Sequence, residues 1–86
     1  MPRFYFDLRE GAKFTPDDAG VDLNSLEVAQ RVAAEAAAGI GRDRLLQGNA
    51  QDVRVEVRND HHKRVLTVTV SMEIHRVDPE PPPPRA

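Results

Sequence analysis

The stretch that decides the fold class is VRVEVR at residues 53–58, followed by LTVTVSMEI at residues 66–74. In both runs every second residue is apolar, and the residues between them are Arg, Glu, Thr or Ser. This period of two predicts β-strands with one buried side and one solvent-facing side. The intervening Asn59-Asp60-His61-His62 is a polar sequence typical of a chain reversal. We therefore predict a hairpin whose valine side faces a core.

A second hairpin is predicted near the N-terminus. Residues 3–9 alternate Phe4, Phe6 and Leu8 with polar residues and Tyr5, and aromatic side chains favour a half-buried pleated surface. Glu10-Gly11 offers a two-residue turn because glycine accepts a positive φ, and residues 12–15 are expected to return with Phe14 facing inward. The sequence TPDDAG at residues 15–20 is typical of a loop, and residues 21–23 leave it in an extended conformation.

One amphipathic helix is predicted between the hairpins. It is expected to begin at Asn24, whose side chain can cap a free amide while Glu27 reaches back in a capping box. Gly48-Asn49 offers a left-handed stop, which predicts an end near Gln47. The positions expected to face the sheet recur at spacings of three and four, and they are Leu26, Ala29, Val32, Ala33, Ala36 and Ile40. Because most of these are alanine, the helix axis can approach the sheet closely.

These elements predict an α+β fold of order ββαββ. The architecture is a two-layer sandwich with one amphipathic helix on one face of a four-stranded, mostly antiparallel sheet. Counted along the chain, a strand order of 2-1-3-4 places the last strand at an edge, and 2-1-4-3 places it inside. The sequence leaves both open. We assign residues 1–77 to a single α+β domain and residues 78–86 to a proline-rich disordered tail.

Length and composition narrow the class of protein. A chain of 86 residues buries a limited share of its surface, so a second copy would help its stability, and we expect a homodimer. The absence of cysteine excludes disulfides and thiolate metal sites, which leads us to expect a cytoplasmic protein. Asp7 interrupts the N-terminal apolar run, so neither a signal peptide nor a membrane span is predicted. A formal net charge of -2 disfavours nucleic acid as the main partner.

The residue types that carry catalysis are scarce. The serines are Ser25, at a helix start, and Ser71, on a strand, and neither lies in a nucleophile motif. Gly39-Ile40-Gly41 is not a phosphate loop, because it does not lie between a strand and a helix N-terminus. We therefore expect no enzyme, no catalytic residue, no cofactor and no small-molecule substrate.

Two polar clusters are weighed as metal sites. Asp60, His61 and His62 are adjacent in a turn, where neighbouring histidines rarely point at one ion, and we interpret them as a polar turn. The acidic residues at 17, 18 and 22 lack the spacing of a calcium loop, and we interpret their segment as a solvated connection. No metal site is predicted.

The solvent-facing side of the sheet carries the remaining candidates. Six residues are predicted as contacts on this face: Arg3, Tyr5, Arg54, Arg58, Thr67 and Thr69. The leading hypothesis is a protein-interaction module that self-associates, with a protein partner in addition. The alternative is a weak binder of single-stranded nucleic acid, in which Tyr5 stacks on a base and the arginines contact phosphates.

Two resemblances add to these predictions. The sequences MPRFYFDL at 1–8 and DDAGVDL at 17–23, with the alanine-rich helix and the valine hairpin, resemble a family of short bacterial proteins of unknown function. That resemblance spans residues 1–77 and implies no activity. A hairpin followed by GVDLNSLE at 20–27 and an alanine-rich helix is similar in organisation to the small domain of HicB-like antitoxins. This similarity implies binding to a toxin protein, although the DNA-binding segment that such antitoxins append is not found in this sequence.

Overall fold

The two predicted hairpins lie side by side in one sheet. The computed structural model describes residues 1–77, and the tail predicted at 78–86 lies outside the described residues. The strands are β1 (Arg3–Glu10), β2 (Lys13–Thr15), β3 (Val21–Asp22), β4 (Val53–Arg58) and β5 (Arg64–Val70), and the helix is α1 (Leu26–Leu46). The fold is therefore α+β. Within residues 1–77, no helix, α1 included, is both long enough and apolar enough to cross a membrane.

The strand order is β2-β1-β4-β5, and every pairing is antiparallel. Of the two orders that the sequence left open, the structure has the one that places the last strand at an edge. The sheet has five strands, not the four predicted, because β3 pairs with the start of β1. The sequence analysis treated residues 21–23 only as extended chain, and two residues are too few for a pattern to show a strand.

The core lies between one face of this sheet and α1. Buried alanines at 29, 33 and 37 pack against Phe4, Val55 and Val57. Gly41 continues the same stripe, and a Cβ there would lie 3.1 Å from Val70 Cγ1. The close approach predicted from alanine is confirmed, but the stripe repeats every four residues. Ala36 is therefore exposed and Leu26 is 45% exposed, contrary to prediction.

Both ends of α1 have side-chain or backbone caps. The N-cap is Ser25, whose Oγ accepts a hydrogen bond from the Val28 N–H at 3.2 Å. The predicted capping box of Asn24 and Glu27 is therefore wrong by one residue, because Ser caps as well as Asn does. The predicted end near Gln47 is confirmed. Gly48 has φ +81, and the Asn49 N–H donates to the Arg44 carbonyl at 2.9 Å, as in a Schellman motif.

The β1–β2 hairpin differs from its prediction in the position of Phe14. Glu10 lies opposite Lys13, so the turn residues are Gly11 and Ala12, not Glu10 and Gly11. Phe14 lies opposite Arg9 and is 43% exposed on the face away from the helix. The inward prediction was wrong because a two-residue turn pairs each even-numbered residue of β2 with an odd-numbered residue of β1.

The last strand is shorter than its sequence pattern. Val70 pairs with Val53, which is the first residue of β4, so β4 offers no partner to residues beyond Val70. The alternation predicted to continue to Ile74 is therefore realised as a strand only up to Val70, and residues 71–77 lie in no helix or strand. The predicted turn between the strands is confirmed: Asn59 Oδ1 accepts from the N–H groups of His61 and Lys63.

Candidate functional site on the open face of the sheet

We call the sheet face away from α1 the open face. Strand alternation and register place all six predicted contact residues on it: Arg3, Tyr5, Arg54, Arg58, Thr67 and Thr69. The prediction that this side of the sheet faces solvent does not hold at its centre. Asp7 is 4% exposed and bonds Arg58, and Glu56 is 2% exposed and bonds Arg9 and Arg64. The open face is therefore an organised ionic network.

Asp7 and Arg58 form the central pair of the network. Arg58 Nε donates to Asp7 Oδ2 at 2.7 Å, and Nη2 donates to Oδ1 at 3.1 Å. The backbone N–H of Asp17 donates to the same Oδ1 at 2.9 Å. Burial acts to raise the pKa of Asp7, but these hydrogen bonds and the guanidinium charge outweigh it, so the pKa lies below its ordinary value. The bond to Asp7 also raises the pKa of Arg58.

Asp17 holds the loop at residues 16–20 against the sheet. Its carboxylate accepts from the backbone N–H groups of Phe6 at 3.0 Å, Ala19 at 3.0 Å and Gly20 at 3.2 Å. Burial acts to raise the pKa of Asp17, but these three bonds lower it below its ordinary value. The loop is therefore a fixed part of the open face and more than the solvated connection expected from its composition.

Tyr5 is enclosed on several sides. The Arg58 guanidinium carbon lies 5.0 Å from the centre of its ring, and the His62 ring is stacked at 6.3 Å. A Cβ on Gly20 would lie 2.8 Å from Tyr5 Cε2, so the loop also approaches the ring closely. His62 Nδ1 lies 3.1 Å from Arg58 Nη1, and because arginine can only donate, the histidine nitrogen accepts.

Glu56 forms the second buried centre. It accepts from Arg9 Nε at 3.1 Å and from Arg64 Nη2 at 2.7 Å. The Arg9 guanidinium also covers the Phe14 ring at 4.6 Å, so this exposed ring has a cation–π partner on the open face. Two arginines sharing one carboxylate fix strands β1, β4 and β5 relative to one another.

The outer part of the open face is more exposed. Arg3 donates to Asp22 through Nε at 2.9 Å and Nη2 at 3.3 Å, and this bond lowers the pKa of Asp22 below its ordinary value. Arg54 Nε donates to Thr69 Oγ1 at 3.3 Å. A shallow cavity of about 190 Å³ lies beside Arg9, Gly11, Asp52 and Arg54. Across residues 1–77, no group of three or more His, Cys, Asp or Glu side chains is placed to hold a metal ion.

The structure also identifies residues that the sequence analysis missed. Asp7, Arg9, Glu56 and Arg64 were not among the predicted contacts, although they carry the densest part of the network. Their signal was present as opposite charges at solvent-facing positions of β1 and β4 and at the start of β5. These charges are recognisable as pairs only once the three strands are placed side by side in register.

Together, the fold and the network define a small α+β domain with one helix on one face of its sheet and paired charges on the other. A family model described as a domain of unknown function, DUF6894, matches residues 3–71, and the chain belongs to that family. The resemblance to an uncharacterised family is thereby confirmed. No curated protein and no solved structure matches the chain significantly.

Proposed function

We propose that the chain is a protein-interaction module that self-associates through the outer edge of β5. The observation that carries this proposal is the position of β5, which pairs with β4 on one side and has no strand on its other side within residues 1–77. β5 has seven residues and no proline, and its basic residues lie only at its start, where Lys63 precedes the strand and Arg64 is its first residue. A free edge of this length is a template for pairing with another strand.

The register identifies which backbone groups face outward. The Phe6 N–H donates to Asp17, so its backbone groups point away from β4. Backbone groups alternate in direction along a strand, so those of Asp7 face β4 and those of Glu56, opposite Asp7, face β1. The neighbouring valines of β4 then face β5. By the same alternation, Thr67 and Thr69 direct their N–H and C=O groups to the free edge.

The opposite edge of the sheet is protected. β2 has three residues, β3 has two, and the Asp17 carboxylate occupies the gap between them by accepting the Phe6 N–H. Short strands and covered amides are the usual means of preventing edge pairing. The contrast between the two edges supports an interaction role for β5.

The proposal extends to a cytoplasmic setting and to a separate protein partner, in line with the cysteine-free sequence and the organisation similar to HicB-like antitoxins.

The alternative, binding of single-stranded nucleic acid, gains no support from the open face. Arg3 and Arg58 each bond a carboxylate, Arg54 bonds the Thr69 hydroxyl, and Tyr5 has an arginine on its ring. Phosphate contacts would have to replace those bonds.

The test uses proline at an outward amide. Thr69→Pro removes an N–H that faces the free edge and leaves the bonds to β4 intact, so we expect a folded monomer by circular dichroism and light scattering. Thr69→Ala keeps the amide and serves as the matched control, which we expect to remain a dimer. Thr67→Pro removes the next outward amide and provides a second variant. Folded proline variants that dimerise as tightly as Thr69→Ala would reject pairing through this edge.

A further inference from the structure

The strand pattern of the sequence continues past the strand of the structure. Residues 71–74 keep the alternation of LTVTVSMEI, but the ladder ends at Val70 because β4 begins at its partner Val53. Ile74 is 49% exposed, whereas Met72 is half-buried. A strand pattern that has no partner strand within residues 1–77 is a template for pairing with another chain.

We propose that two copies pair antiparallel about a twofold axis at Val70, and that residues 71–74 join the ladder in this assembly. The inference rests on the proposed function and specifies which residues of the two β5 strands lie opposite each other. The run of alternating residues spans 66–74, and Val70 is its midpoint. An axis there pairs the whole run with its copy, so that each copy supplies the partner strand that β4 is too short to provide.

The outward backbone groups fit this register. Thr67 and Thr69 face the free edge, and alternation gives Ser71 and Glu73 the same direction when the strand is extended. With the axis at Val70, Thr69 lies opposite Ser71 of the second copy and Thr67 lies opposite Glu73 of the second copy. All four backbone positions therefore obtain hydrogen-bond partners.

The side chains are also compatible across the axis. On the helix side, Leu66 of one copy lies opposite Ile74 of the other, which would cover that exposed side chain. On the open face, Glu73 is the only charged residue of the run, and it lies opposite a threonine. No like charges therefore meet within the paired run.

Distances between labels locate the axis. Nitroxide labels on Thr67→Cys and, separately, Glu73→Cys are specific because the natural chain has no cysteine. Each label is three residues from Val70, so we expect equal separations of about 20 Å in the two dimers, from about 3.3 Å per residue. An axis at Val68 would instead give about 7 Å for position 67 and about 33 Å for position 73. Unequal separations in a protein of dimer mass would overturn the register and leave the proposed function intact.

A pair of lysine variants tests the same register without labels. Ile74→Lys places a charge against Leu66 of the second copy, and we expect the dimer dissociation constant to rise at least about tenfold. Val77→Lys is the matched control, because Val77 is exposed but lies beyond the paired run, and we expect a change of less than about twofold. Equal effects of the two variants would contradict the proposal. A wild-type mass of 9.6 kDa would instead remove the proposed function itself, and the register with it.

Discussion

Arg58 and Asp7 form a two-bond ion pair across β1 and β4, with 2.7 Å from Nε to Oδ2 and 3.1 Å from Nη2 to Oδ1. Arg3 and Asp22 form a pair of similar geometry, with both side chains about half exposed. The first pair joins two central strands, and its carboxylate is almost removed from water. The two pairs therefore allow the same chemistry to be compared in two environments.

Asp7→Asn is expected to lower the free energy of unfolding by about 2 kcal/mol. The change leaves the Arg58 charge without its counterion, and the cost is below that of a fully buried pair because Arg58 reaches solvent. Asp22→Asn removes the charge of the exposed pair and should leave stability almost unchanged. Urea unfolding followed by circular dichroism measures both. Equal losses would show that burial of Asp7 contributes nothing to the strength of its pair.

Stability is expected to fall in acid. The folded-state pKa values of Asp7 and Asp17 lie below the ordinary value of 3.8, so the folded chain binds fewer protons than the unfolded chain near that pH. Their contribution is fully present above that value and is lost as the pH falls through the lower, folded-state pKa values. We expect thermal melts to show little change from these groups between about pH 7 and 5 and a decline below about pH 4. Asp7→Asn should weaken this decline. If the variant lost as much stability in acid as the wild type, Asp7 would not be a cause of the decline.

Two glycines of α1 should respond oppositely to leucine. Gly39 has open space around its Cβ position, so Gly39→Leu should raise the free energy of unfolding by about 0.5 kcal/mol through helix propensity. Gly41→Leu would enter the 3.1 Å gap to Val70 and should lower it by about 1–3 kcal/mol. Chemical denaturation distinguishes the two. A gain in both variants would show that the helix does not approach β5 as closely as described.

The elements of this fold were largely predictable from local sequence. Alternation at residues 53–58 was sufficient for β4, and Gly48 marked the end of α1. The cap at Ser25 was not distinguishable from one at Asn24, because both residues are good caps and they are adjacent. The end of β5 at Val70 depends on where β4 begins, which the alternation of β5 itself does not contain.

The ionic network was less predictable than the fold. The positions of Arg3, Tyr5, Arg54 and Arg58 on one face followed from alternation alone. The burial of Asp7 and Glu56 depends on the pairing of β1 with β4, which joins segments about 50 residues apart, and on the Asp17 loop. The alternation in one strand therefore predicts a solvent-exposed side. The pairing of the strands buries two of the charged residues on that side.

The molar mass of the wild-type chain in solution is the most direct test of self-association. Light scattering after size exclusion at about 100 micromolar should give twice the chain mass of 9.6 kDa, because pairing at the β5 edge is favoured by mass action. A mass of 9.6 kDa at that concentration would contradict the central claim.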